Sequence, residues 1–209
     1  MDMNAYIWDL DGTLLHSYGV ITESLAAALA EKGLKPDPEQ ILQKVKKESV
    51  TACIRESAEK TGESPEALMA LYRQKCAGRN QSITLTEGAA ETLEGLKKAG
   101  ARHFVYTHRG SSTHGILQRL GIEDCFEDIV THGDGFAPKP APDGVLYLTQ
   151  KYHLDPETTY YVGDRKLDVL CAKNAGVKSI LFLEEGSCVE PTGLEDLVVH
   201  ELTEIVGKE

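Results

Sequence analysis

Paired cysteines are missing from this 209-residue chain. The five cysteines, Cys53, Cys76, Cys125, Cys171 and Cys188, are scattered, odd in number and form no CxxC pair. Neither a disulfide framework nor a zinc site follows from such spacing, and the thiols read as reduced structural groups. Basic charge is also scarce: 22 lysines and arginines against 33 acidic residues leave a formal charge of -11. That balance argues against a nucleic-acid backbone or an anionic membrane as the main partner. An anionic small molecule would have to enter through a local basic patch or meet a bound metal. No uninterrupted apolar run approaches the roughly 20 residues of a membrane span, and the opening residues carry no basic segment leading into an apolar core. The expectation is a soluble, cytoplasmic protein.

What is present is a change of pattern along the chain. A length of 209 residues suits one α/β core with an insertion, or two small domains. From about Gly19 to Arg79 there is no convincing strand, and the segment reads as a set of helices. Thr22 is placed at the N-cap of the first, which Gly33 stops; Asp37-Pro38-Glu39 and Ser64-Pro65-Glu66 start others, with proline at the first helical position. From Thr86 onward, helix and strand alternate. Strands are predicted over 102–106, 126–130, 158–162 and 179–183, and helices over 88–99, 112–120, 143–152, 166–175 and 194–206. Such alternation implies right-handed crossovers and a parallel sheet with helices on both faces.

The most informative segment is Trp8-Asp9-Leu10-Asp11-Gly12-Thr13, where the apolar run Ala5-Tyr6-Ile7-Trp8 gives way to a glycine turn. Side chains two apart on an extended strand share a face, so Asp9 and Asp11 are expected to point into one small space. Two ionised carboxylates about 4 Å apart repel by roughly 4 kcal/mol at an effective dielectric near 20, so a cation or a shared proton is expected between them.

With this DxDGT segment the sequence resembles the haloacid dehalogenase superfamily, in particular its phosphoglycolate phosphatase-like branch. Further segments match that family's motifs in order: Thr107-His108-Arg109-Gly110 after the strand-like Phe104-Val105-Tyr106, then Lys139-Pro140, then Gly163-Asp164-Arg165-Lys166-Leu167-Asp168. The resemblance implies a Rossmann-like core over 1–18 and 82–209 and an inserted all-helical cap over 19–81. Within that family pattern Asp9 is the nucleophile that attacks phosphorus, and Asp11 the general acid and base; an acid at that position sets the chain apart from the true dehalogenases. The resemblance also implies Mg²⁺ bound by Asp9, a backbone carbonyl of Asp11 and Asp164, with Asp168 bracing the site. Thr107 and the amide of His108 would bind phosphate oxygens, and Lys139 would balance charge. The family's closest branches often carry an acid where this chain has His16, which bears on substrate choice. In the cap, Lys46, Lys47 and Arg55 are available to meet a substrate anion, though each also suits a solvated helix face.

The resulting expectation is a Mg²⁺-dependent phosphohydrolase acting on a small phosphorylated metabolite, monomeric or homodimeric, with no nucleic-acid or membrane partner. A sugar phosphomutase of the same fold and a non-catalytic metabolite-sensing protein are the alternatives.

Overall fold

The computed structural model describes residues 4–207 and divides into two compact units, one running to His16 and resuming at Thr84, the other Ser17–Ile83. The first unit is built on β1 (Ala5–Trp8), which is buried at every position and runs up the middle of a parallel sheet. A strand sandwiched between two others and covered on both faces must be apolar throughout, as Ala-Tyr-Ile-Trp is. After β1 the chain forms a short strand β2 (Leu15–His16), which pairs antiparallel with β3 (Thr84–Leu85), beside the points where the chain leaves and re-enters the unit.

The Ser17–Ile83 unit holds four helices, α1 (Tyr18–Glu31), α2 (Pro38–Lys47), α3 (Val50–Thr61) and α4 (Pro65–Ala77). Asp37, Ser49 and Ser64 cap the last three, each accepting from a backbone amide two or three residues on. Ile21, Leu25, Leu29, Ile41, Val45, Ile54 and Leu68 form its core. The first helix begins earlier than the sequence suggested. Ser17 stands at its N-cap position and its carbonyl accepts from Ile21, so Thr22 lies buried within the helix rather than capping it. A threonine can occupy either place, and burial of Tyr18 and Ile21 favours the longer helix.

Beyond β3 come α5 (Ala89–Lys98), β4 (Arg102–Tyr106), α6 (Thr113–Arg119), β5 (Asp128–Val130) and α7 (Asp143–Tyr152). They are followed by β6 (Thr159–Gly163), α8 (Lys166–Ala175), β7 (Lys178–Phe182) and β8 (Leu197–Val199). The sheet order is β5-β4-β1-β6-β7-β8, with every neighbouring pair parallel. Ile7, Phe104 and Tyr161 pack with Val145 and Leu148 of α7 and Cys171 and Ala172 of α8. The alternate residues Tyr6, Trp8, His103 and Tyr160 stack on one another on the opposite face.

The helix expected over 194–206 is absent. Leu197–Val199 is instead an edge strand paired with β7, and Leu202–Ile205 a single 3₁₀ turn. Two adjacent valines favour the strand, and the sheet edge offers a hydrogen-bonding partner that local sequence does not reveal. Trp8 pairs with Val105 on one side and Val162 on the other, which brings the carboxyl ends of β1, β4 and β6 to one edge. In a parallel α/β sheet that edge is where ligands bind.

Candidate active site

The strand-like course of β1 persists for one more residue, since the Asp9 amide donates to the Val162 carbonyl at 2.9 Å. The chain then turns, with Thr13 and Leu15 amides both donating to the Leu10 carbonyl, and Gly12 takes φ 86°, a left-handed conformation suited to glycine. Strand alternation therefore stops before Asp11. Each of the two carboxylates meets a cationic side chain of its own. Asp9 is buried and meets Lys139, while Asp11, with its side chain 20% exposed, meets Arg109.

Lys139 lies in the loop between β5 and α7, and its side chain is fully buried. The ammonium donates to Asp9 Oδ1 at 2.7 Å, Asp168 Oδ1 at 2.7 Å and the Tyr161 hydroxyl at 2.9 Å, which uses all three of its donors. Burial by itself would lower the lysine, but Asp168 and Asp9 outweigh it and hold the ammonium above its ordinary range. Burial pushes the Asp9 carboxyl up to about 6, against the pull of Lys139. Asp168 completes the network by accepting from the Arg165 amide at 3.1 Å with its second oxygen. Glycine is required at 163, because a Cβ there would lie 2.4 Å from that of Asp168.

From the end of β4, Thr107 Oγ1 accepts from the Arg109 amide at 3.1 Å, and its hydroxyl proton remains available to a ligand oxygen. The Arg109 guanidinium grips Asp11 with Nε at 3.1 and 3.2 Å from its two oxygens, and with Nη2 on Oδ1 as well. The His108 ring points to the Lys139 loop, where Nε2 accepts from the Lys139 amide at 2.8 Å. Burial, reinforced by the charges of Lys139 and Arg165, lowers His108 to about 3, so the ring is neutral.

Arg109 and Arg165 were not singled out from sequence. Arg165 is 8% exposed, with Nε 3.8 Å from Asp164 and 4.0 Å from Asp168. Both arginines lie inside the motif segments, beside His108 and Asp164, and the excess of carboxylates in those segments is the signal that points to them. Asp9, Asp11, Asp164 and Asp168 set against Lys139, Arg109 and Arg165 leave one negative charge. A divalent cation would reverse that sign and make the site receptive to a phosphate. The carboxylates of Asp9, Asp164 and Asp168 can bring ligand oxygens within 4.8 Å of one another, and Asp9 Oδ2 is buried with no hydrogen-bond partner. An all-oxygen donor set with an unsatisfied carboxylate oxygen suits a hard cation.

His16 is exposed, Lys46 lies over the Tyr18 ring, and Lys47 and Arg55 are exposed within the Ser17–Ile83 unit. A cleft of about 950 Å³ elsewhere in the first unit is lined by Glu87, Glu91, Glu184, Glu185 and Glu201, and by none of the motif residues. Its acidic lining does not suit an anion.

The model of the haloacid dehalogenase-like hydrolase family matches residues 6–182. Phosphoglycolate phosphatase of Cereibacter sphaeroides is 30% identical over 96% of this chain and 90% of its own length. Pyrophosphatase PpaX of Bacillus velezensis is 30% identical over 85% of this chain and 82% of its own. A haloacid dehalogenase-like hydrolase from Bacteroides fragilis shares the fold, with a TM-score of 0.84 at 22% identity, over 98% of this chain and 100% of that one. The chain belongs to the haloacid dehalogenase-like hydrolase family and is an enzyme of its phosphatase kind.

Proposed function

We propose that the protein is a Mg²⁺-dependent phosphatase that hydrolyses a small phosphomonoester in the cytoplasm through a phosphorylated Asp9. The carrying observation is the state of Asp9, buried, with Oδ1 fixed by Lys139 at 2.7 Å and Oδ2 without a partner. A carboxylate so held has one oxygen anchored and its orientation set, as in-line attack requires. Asp9 and Asp164 would hold the magnesium by side-chain oxygens, together with the Asp11 carbonyl. Both Asp168 oxygens are committed to Lys139 and the Arg165 amide, which suits a bracing role. When bound, the magnesium would neutralise charge on the transferring phosphoryl group.

The chain's own residues account for the proton and bond changes. An Asp9 oxygen bonds to phosphorus as the phosphorus–ester bond breaks, and Asp11, entering the step in its acid form, gives its proton to the departing alkoxide and is left as the carboxylate that Arg109 holds. Water then attacks the acyl phosphate and gives a proton back to Asp11; the phosphorus–Asp9 bond breaks and inorganic phosphate leaves. Arg109 aims the Asp11 carboxylate through its planar fork, and partial exposure gives Asp11 access to water. Thr107 donates its hydroxyl to a phosphoryl oxygen.

Phosphoglycolate, sugar phosphates, nucleoside monophosphates and pyrophosphate, each incubated with magnesium, form the test. Release of inorganic phosphate, lost with EDTA and lost in a folded Asp9→Asn variant, is expected. Isomerised sugar phosphate in place of free phosphate would indicate a mutase, and an active Asp9→Asn enzyme would remove the assigned nucleophile. Metabolite binding without turnover across the panel would indicate a sensor.

A further inference from the structure

His108 touches none of the reacting carboxylates. Its Nε2 instead accepts from the backbone amide of Lys139 at 2.8 Å, across 31 positions of sequence. That acceptor role requires a neutral ring carrying its proton on Nδ1. The loop bearing Lys139 is tethered on either side by its carbonyls: Tyr106 hydroxyl donates to Ala137 at 3.0 Å and Asn174 to Pro140 at 2.9 Å. The His108 contact is made at the Lys139 backbone itself. A lysine side chain has several rotatable bonds, yet this ammonium must meet three acceptors at 2.7 to 2.9 Å. Fixing the backbone from which it springs sets the point from which the side chain must reach them. His108 also follows Thr107 directly, so one step of chain at the end of β4 places both the threonine hydroxyl and the lysine.

We infer that His108 is a positioning residue, whose Nε2 holds the Lys139 backbone so that the ammonium is seated on Asp9. The kinetic consequence rests on the phosphatase reading above; the hydrogen bond does not. Glutamine can place an oxygen acceptor close to where Nε2 stands, whereas leucine fills similar space with none.

With magnesium and whichever phosphomonoester the wild type hydrolyses fastest, His108→Leu is expected to lower kcat about ten- to a hundredfold, the range for small displacements of a site group. KM should stay within about threefold, and His108→Gln should recover most of kcat. Wild-type kcat in a folded His108→Leu protein would overturn the inference, as would a folded His108→Gln protein no better than His108→Leu. Long-range proton–nitrogen NMR of the wild-type imidazole is the second arm and needs no variant. Nδ1 protonated and Nε2 bare from pH 8 to 5 is expected, and a proton on Nε2 would overturn the assignment. If the wild type releases no phosphate from any ester, the phosphatase reading fails, and the NMR arm alone decides the positioning role. If His108→Leu does not fold, the same arm decides.

Discussion

The two carboxylates of Asp9-Leu10-Asp11 are separated by a single residue and live in different media. Asp9 lies in a closed network with Lys139, Asp168 and Tyr161, from which water is excluded. Asp11 is held by the fork of Arg109 at the solvent boundary. The difference follows from where β1 ends: the last residue with a strand-like hydrogen bond turns inward, and the turn carries the next carboxylate out. In the proposed mechanism the group that attacks phosphorus gains from being fixed and dry, while the one that trades protons with water must reach it. The choice of cation matches. A compact ammonium fits among three acceptors in the dry half, and a planar guanidinium grips a carboxylate edge-on where the other side must stay open.

The contrast breaks most severely at Lys139. Lys139→Met should leave two buried carboxylates without their cation, destabilising the protein by about 3–5 kcal/mol. Thermal melting is the measure, with phosphatase activity lost in parallel; a variant as stable as the wild type would mean that the dry half is not held by charge. At Arg109 the effect should be smaller and mainly kinetic. Arg109→Lys keeps the charge and loses the fork, so kcat should fall about tenfold or more with the melting temperature little changed, because a cation still faces Asp11. Equal losses of stability at the two positions would erase the distinction between the halves.

Acid offers the mildest test. Burial lowers His103 from 6.5 to about 4, and its Nδ1 accepts from the indole of Trp8, the residue before Asp9. A histidine lowered in the folded state contributes stability that is complete above 6.5 and lost as pH falls towards about 4. By pH 5 that loss amounts to about 2 kcal/mol, and His108, lowered to about 3, adds to it. Asp9 slopes the other way, because its raised value makes ionisation costly above about 6, and the two histidines outweigh it. The melting temperature should therefore drop between pH 7 and 5, followed by fluorescence of Trp8, the single tryptophan. A flat profile would place a charged histidine in the core.

Most of the sheet was legible from sequence because its signals are local. Residues 102–106, 143–152 and 166–175 take the predicted elements to the residue, each bounded by a glycine, proline or polar cap that the chain itself supplies. The edge strand at Leu197–Val199 was not legible, because its hydrogen bonds go to β7 and nothing within 194–206 announces that partner. The first helix shows the same limit on a smaller scale: Ser17 and Thr22 are both acceptable N-caps, and burial of the residues between them decided.

The site divides along the same line. The sequence by itself determined which residue types stand at the carboxyl ends of β1, β4 and β6, and hence a cluster of carboxylates needing cations. Their pairing was decided only in three dimensions, because it depends on where β1 stops, on how the loop carrying Lys139 folds back, and on which side chains lose their water. Arg109 on Asp11 and His108 on the Lys139 backbone join residues that are adjacent in space through separate strand ends, whereas Arg165 lies beside Asp164 and Asp168 of its own segment. Charge can be counted along a chain, but its cost is set by burial and distance, and those belong to the folded molecule.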